Sequence, residues 1–292
     1  MSPEPSALIV LTNIFLTSEQ TSSAEDLPKW SEPKQITKGI EVNSVQFLAT
    51  GELFLATNVG IVTVNLDGTR MRTLFKYNGI QRANMSPDGT KIVVDNDLDI
   101  FTANPDGSEF KPIANDPDIF EFAVSFVPDG KKINFVTIDD VNAVYGIWNM
   151  GLDGSNKKNL LSRRDIAFRH PRQSPDGTRI SYFSVGKGKK PRIWVMEKDG
   201  QNSVALTNPD EDGISRQASW SSDGKQFAYA SRKNGDFDIW TMNTDGSNKR
   251  RITRISGDEA KPVWSPDGRS IVFVCSDCRG AVGSDLYIIS RK

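Results

Sequence analysis

The sequence predicts an all-β chain folded as one six-bladed β-propeller with four-stranded blades. Three observations carry this: a turn motif that recurs six times, a second turn inside the intervals, and a last repeat that stops one strand short. Together they also predict how the ring closes.

The first turn reads Ser86-Pro87-Asp88-Gly89, Val127-Pro128-Asp129-Gly130, Ser174-Pro175-Asp176-Gly177, Ser221-Ser222-Asp223-Gly224 and Ser265-Pro266-Asp267-Gly268, with a worn copy at Leu48-Ala49-Thr50-Gly51. Its glycines stand 38, 41, 47, 47 and 44 residues apart, the length of one four-stranded blade. Proline presets φ at the corner, aspartate accepts from the backbone ahead, and glycine takes the positive φ that closes the hairpin. The second turn is Leu66-Asp67-Gly68, Pro105-Asp106-Gly107, Leu152-Asp153-Gly154, Lys198-Asp199-Gly200 and Thr244-Asp245-Gly246. Alternating runs such as Gln226 to Ala230 and Asp238 to Met242 lie between the tips and read as strands. Each repeat therefore supplies strands A, B, C and D.

After Leu286 to Ser290 the chain ends without a D strand. Pro33-Lys34-Gln35-Ile36-Thr37 matches the D-strand pattern of Arg250 to Thr253 and precedes the first A strand, so it is expected to complete the sixth blade. The folded domain then runs over residues 30–292. Residues 1–29 read as a leader: Ala7 to Leu16 is apolar but too short to span a bilayer, and Ser22-Ser23-Ala24 offers a cleavage context. Two readings of it stay open, a secretory signal or a disordered extension, since no lysine or arginine precedes the apolar run. No other segment has the length and apolarity to cross a membrane.

Phe47, Met85, Phe126, Gln173, Trp220 and Trp264 stand just before the first turn and are expected to wedge between blades. Trp148, Trp194 and Trp240 recur on strand C as a second tier of packing. Thirty-six basic against thirty-seven acidic residues leave no global field to draw nucleic acid. Because the ring closes on itself, a monomer is expected.

The run Pro262-Val263-Trp264-Ser265-Pro266-Asp267-Gly268-Arg269-Ser270-Ile271-Val272-Phe273, with Ile239 to Thr253, resembles the TolB-type propeller repeat. The resemblance covers about Trp30 to Lys292 and is specific for the fold. It implies the kind of blade found in periplasmic scaffold proteins and in the propellers of prolyl-oligopeptidase-like peptidases. Neither the α/β domain of TolB nor a hydrolase domain accompanies the repeats in this sequence.

The chemistry on offer is sparse. His170 is the one histidine and no G-x-S-x-G elbow occurs, which argues against nucleophilic hydrolysis. Cys275 and Cys278 are too few for a closed zinc site and are expected to form a loop disulfide if the protein is exported, or else to remain thiols. Acidic clusters at Asp95 to Asp99, Asp139-Asp140 and Asp210 to Asp212 could offer oxygens to Ca²⁺ but lack EF-hand spacing, so no cofactor is expected. Lining up the start of each A strand gives the candidate binding residues: Arg82, Glu121, Arg169, His170, Arg216, Gln217, Glu259 and Lys261, expected at the mouth of the central channel. Four cations focused there suit an acidic peptide or anionic sugar. The expectation is a non-catalytic propeller that binds a protein or peptide, in the periplasm or secreted, or otherwise in the cytoplasm. The alternative is a carbohydrate-active enzyme, a glycoside hydrolase or lyase, working through Glu121 and Glu259.

Overall fold

Six four-stranded antiparallel sheets are arranged as a propeller in the computed structural model, which describes residues 29–278 and 283–292. The leader predicted at residues 1–29 lies almost wholly outside the described residues. Blade 1 is β2 to β5 (Val42–Phe47, Leu53–Thr57, Gly60–Val64, Arg72–Phe75) and blade 2 is β6 to β9 (Arg82–Met85, Ile92–Asp95, Ile100–Ala103, Lys111–Ala114). Blade 3 is β10 to β13 (Phe120–Phe126, Lys132–Asp139, Val144–Gly151, Lys158–Arg164) and blade 4 is β14 to β17 (Ile166–Gln173, Arg179–Gly186, Arg192–Glu197, Val204–Ala205). A single helical turn, α1 (Pro209–Asp212), leads into blade 5, β18 to β21 (Ser215–Trp220, Gln226–Ser231, Asp238–Asn243, Arg250–Arg251). No helix among the described residues is long and apolar enough to cross a membrane.

Blade 6 holds β22 to β24 (Asp258–Trp264, Ser270–Ser276, Ser284–Ser290), and its outer strand is β1 (Lys34–Gln35) from the other end of the chain. The pairing is antiparallel, Lys34 opposite Ile288 and Gln35 opposite Tyr287, with a further bridge from Trp30 to Arg291. Ile36 then enters one apolar cluster with Leu53 and Leu55 of blade 1 and Val272, Val274 and Leu286 of blade 6. The first and last blades are thus packed together by the clasp that the missing strand predicted.

The two turns do different work. In the first, the Ser86 hydroxyl donates to Asp88 Oδ1 at 2.6 Å while Asp88 accepts from the Thr90 amide at 3.1 Å and Gly89 N donates to Ser86 O at 2.9 Å. The same triangle forms in blade 4, where these bonds to Ser174 and Thr178 hold Asp176 down to about 2. In the second turn the glycine also touches the preceding blade. A Cβ on Gly200, whose φ is +93°, would drive into the carbonyl oxygen of Leu160, and the same approach recurs at Gly68 against Ile36 and at Gly154 against Ile113. Gly89 shares the positive φ but faces open space. We expect Gly200→Ala to cost about 3 kcal/mol and Gly89→Ala about 1 kcal/mol. Urea denaturation of the pair checks this, and equal losses would refute a packing role for the second turn.

The residues expected to wedge between blades do so: Met85 packs with Phe54 and Ile61 of blade 1, Phe126 with Val93 of blade 2 and Trp220 with Phe183 of blade 4. Met85, Phe126, Gln173 and Trp220 also line the central cavity, because the A strands are the innermost of each blade. Trp264 packs on Trp30, ring centroids 5.8 Å apart, under the terminal clasp.

Candidate functional site: the central cavity

The innermost strands are tied blade to blade by side chains that reach the neighbour's backbone. Gln46 accepts from and donates to Met85 (2.8 and 3.0 Å), Asn84 donates to Val124 O (3.1 Å) and Ser125 donates to Pro171 O (2.7 Å). The Trp220 indole donates to Arg172 O at 3.0 Å, and Gln217 Oε1 accepts from the Lys261 amide at 3.1 Å. Lys261 Nζ donates to Val42 O at 3.1 Å, which returns the chain of bonds to blade 1. Polar side chains that would be costly if buried without partners are satisfied here by design of the ring.

Inside this ring lies a cavity of about 310 Å³ lined by all six blades. Pro87, Pro128 and Pro175 of the A–B turns are among its lining residues. The sequence reading set the candidate binding residues at the start of the A strands. What each one does follows from its position, counted back from the residue that opens the first turn.

Four residues back stand Ser44, Arg82, Ala123, His170, Gln217 and Lys261, and all but Ala123 line the cavity. At His170, Gln217 and Lys261 the backbone is left-handed (φ 50°, 56° and 53°), and each lies in a bulge that shifts the strand register. Two residues there oppose one on strand B, for instance His170 and Pro171 opposite Tyr182. Five residues back are Arg169 and Arg216, which do not line the cavity. Arg169 lies 4.9 Å over the Phe122 ring and Arg216 lies 3.9 Å over Phe237, both with their pKa lowered by burial.

Six residues back, Glu121 and Glu259 are buried away from the cavity. Glu121 pairs with Lys157 Nζ at 3.0 Å. Glu259 accepts from the Ile239 amide at 3.0 Å and from the Thr253 hydroxyl, and burial pushes its carboxyl up to about 7. The two carboxylates expected at the channel mouth therefore belong to the packing between strands.

Arg82 is also engaged: Nη1 meets Asp95 Oδ1 at 3.0 Å and Asp97 Oδ1 at 2.7 Å. Burial works against its charge, but these carboxylates outweigh that and raise its pKa. Part of the acidic cluster considered for Ca²⁺ is thereby committed to a cation of the chain itself.

Arg172 was not among the predicted residues. It lines the cavity and donates from Nη1 to Asn84 Oδ1 at 2.7 Å, bridging blade 4 to blade 2. Its signal was in the sequence: two residues before the turn, where other blades carry Gln46, Asn84, Ser125, Ser219 and Val263, it is the lone cation. Burial, then Arg82, lower Arg172 to about 10, and burial, then Arg82, lower Lys261 to about 8. His170 falls well below its ordinary value through burial and the surrounding cations, so it is neutral. Away from this site, Cys275 and Cys278 are joined in a disulfide with Cα atoms 5.7 Å apart.

Comparison with known proteins agrees with this architecture. The chain matches the TolB beta propeller domain family over residues 132–290, more than half of its length. It is 34% identical over 129 residues to the uncharacterized peptidase YuxL of Bacillus subtilis, covering 41% of this chain and 19% of that protein. It is 29% identical over 141 residues to a TolB homolog of Chlorobium luteolum, covering 48% of this chain and 31% of that one. The chain thus spans a third or less of these relatives' own length. Among solved structures, a TolB-like protein from Agrobacterium tumefaciens superposes with a TM-score of 0.68 at 18% identity, covering 91% of this chain and 99% of that one. With the family matched over most of four blades and the remaining blades repeating the same turns, the chain belongs to the TolB β-propeller family.

Proposed function

We propose that this propeller is a non-catalytic binding module that engages a protein segment at the mouth of its central cavity, and that it works in the cell envelope. The observation that carries the reading is the make-up of the cavity. Met85, Phe126, Val127, Trp220 and Val263 line it together with polar side chains drawn from several blades. A few hundred cubic ångströms of concave, largely apolar surface with a few convergent polar groups is the usual form of a binding site. Aromatic and aliphatic anchors at its centre suit an inserted chain segment. Membership of a family that includes TolB homologues supports a binding role, and a disulfide supports an oxidising compartment.

The carbohydrate-active alternative needs two carboxyl groups facing one pocket. Glu121 and Glu259 do not line the cavity, which favours the binding reading.

The test is photo-crosslinking in the native cell. A benzophenone amino acid at Phe126 is expected to form a discrete adduct with another protein, and one at Val204, exposed on an outer strand, is not. Adducts from Val204 alone, or from neither position, would overturn the proposal.

A further inference from the structure

The lining of the cavity holds more positive charge than its surroundings neutralise. Arg172 and Lys261 both line it, and among the described residues no carboxylate lies within salt-bridge distance of either. Arg82, the other cation of the lining, is already matched by Asp95 and Asp97.

The donors of this lining are held in place and only partly used. Arg172 gives one N–H to Asn84 Oδ1, which fixes the guanidinium across the channel and leaves other N–H groups free. Lys261 gives one Nζ hydrogen to Val42 O and keeps two. Gln217 has its Oε1 occupied by the Lys261 amide, so the part of the side chain left over is the NH₂ donor. His170 stacks on Phe183, ring centroids 5.5 Å apart, and as a neutral imidazole adds a donor and an acceptor without a charge. What remains is a fixed guanidinium, an ammonium and an amide, all donors, in the lining of one partly apolar cavity.

We infer that this part of the cavity is a carboxylate-receiving site, where an acidic group of the bound segment is held by the Lys261 ammonium with the Gln217 amide beside it. The inference rests on the binding reading above and names what the inserted segment must carry. A carboxylate accepts charge-assisted hydrogen bonds from the ammonium and brings one negative charge to a cavity lined by two cations that have no carboxylate partner among the described residues. The state of Lys261 agrees: burial, Arg82 and Arg216 depress it to about 8, against the pull of Glu41. An anion beside it relieves that repulsion and raises its pKa.

The experiment is NMR of the full chain with labelled lysine and tryptophan, following the Lys261 Cε shift and the Trp220 indole. Four probes are titrated: succinate, a capped Leu-Glu-Leu peptide, the same peptide with Gln, and inorganic phosphate. We expect saturable shifts at Lys261 with succinate and the Glu peptide. The Glu peptide should bind at least about tenfold tighter than the Gln peptide, the factor for one charge-assisted hydrogen bond. With the Glu peptide bound, the Lys261 pKa should rise by about one unit or more.

Lys261→Met should abolish the difference between the two peptides, and Lys261→Arg should retain it. Retention by Lys261→Arg also guards against misreading a folding defect in Lys261→Met. Tighter binding of succinate than of the Glu peptide would assign the site to small carboxylates instead of a protein segment. Equal binding of the Glu and Gln peptides, or phosphate binding tighter than both carboxylates, would overturn the inference. Crosslinking from Phe126 in the parent chain together with equal binding of the Glu and Gln peptides would leave the binding reading standing and remove only its acidic determinant.

Discussion

Starting the chain at Lys38 is expected to abolish the cooperative unfolding transition, whereas starting it at Lys29 leaves the transition where it is. The first truncation removes strand β1 and the partners that blade 6 takes from it. Ile36 N no longer donates to Leu286 O (2.7 Å), and the Thr37 hydroxyl no longer accepts from Leu286 N (2.9 Å) or donates to Asp285 Oδ1 (3.2 Å). Gln35 Nε2 also leaves Asp285 Oδ2, at 2.9 Å, so a carboxylate buried in the clasp loses both side-chain partners. Stranded polar groups cost about 1–3 kcal/mol each and more when charged, and the apolar contact of Ile36 with Val272 and Leu286 goes with them. The sum rivals the whole stability of an ordinary domain, about 5–15 kcal/mol. Thr37→Val isolates the hydroxyl and should cost about 2–4 kcal/mol. Urea melts followed by tryptophan fluorescence measure all three variants; a Lys38 start that melts like the full chain would show that the ring holds without its clasp.

The second large effect is on pH. Glu259, fully buried at the start of the last blade, has its carboxyl raised from 4.5 to about 7 by burial, with Asp238 adding to the rise and the Thr253 and Ile239 hydrogen bonds opposing it. A raised carboxyl binds its proton more tightly in the folded chain than in the unfolded one. Its stabilising contribution is therefore complete below pH 4.5 and is lost as pH rises through about 7. The loss is on the order of 3 kcal/mol. Glu259→Gln keeps an oxygen for the Ile239 amide and the Thr253 hydroxyl without the charge, so it should flatten this slope and equal or exceed the parent chain in stability at pH 8. Melts of both proteins at pH 5 and pH 8 decide it, and parallel pH dependence in parent and variant would mean that the charge at Glu259 is not what titrates.

The fold was legible because its turns are chemical. Ser-Pro-Asp-Gly needs no tertiary partner to specify a corner, so counting corners counts blades, and the orphaned C strand at Ser284–Ser290 announced its partner at Lys34–Gln35. The site was legible by strand but not by side-chain direction. A strand alternates its faces, and aligning the A strands by their starts took that alternation as regular. The bulges at His170, Gln217 and Lys261 insert a residue and reverse the phase, which put Arg169 and Arg216 on aromatic rings and Glu259 among core strands. Arg172 was overlooked because only the starts of the A strands were lined up, and it follows the bulge, two residues before the turn. Counting from the turn, whose geometry is rigid, aligns these positions; counting from the strand start does not.

Those bulges carry a consequence for how such a protein changes over time. A residue in a left-handed bulge is one for which strand B has no single opposite number, so its identity is under little demand from the sheet. His170, Gln217 and Lys261 differ in size, charge and donor pattern, yet their backbones are superposable to within a few degrees of φ. Substitutions at these codons can alter what the cavity recognises while the pairings before and after them persist. A library randomised at these positions is a compact route to new ligands, with the bonds of Gln217 and Lys261 to neighbouring blades as its structural cost.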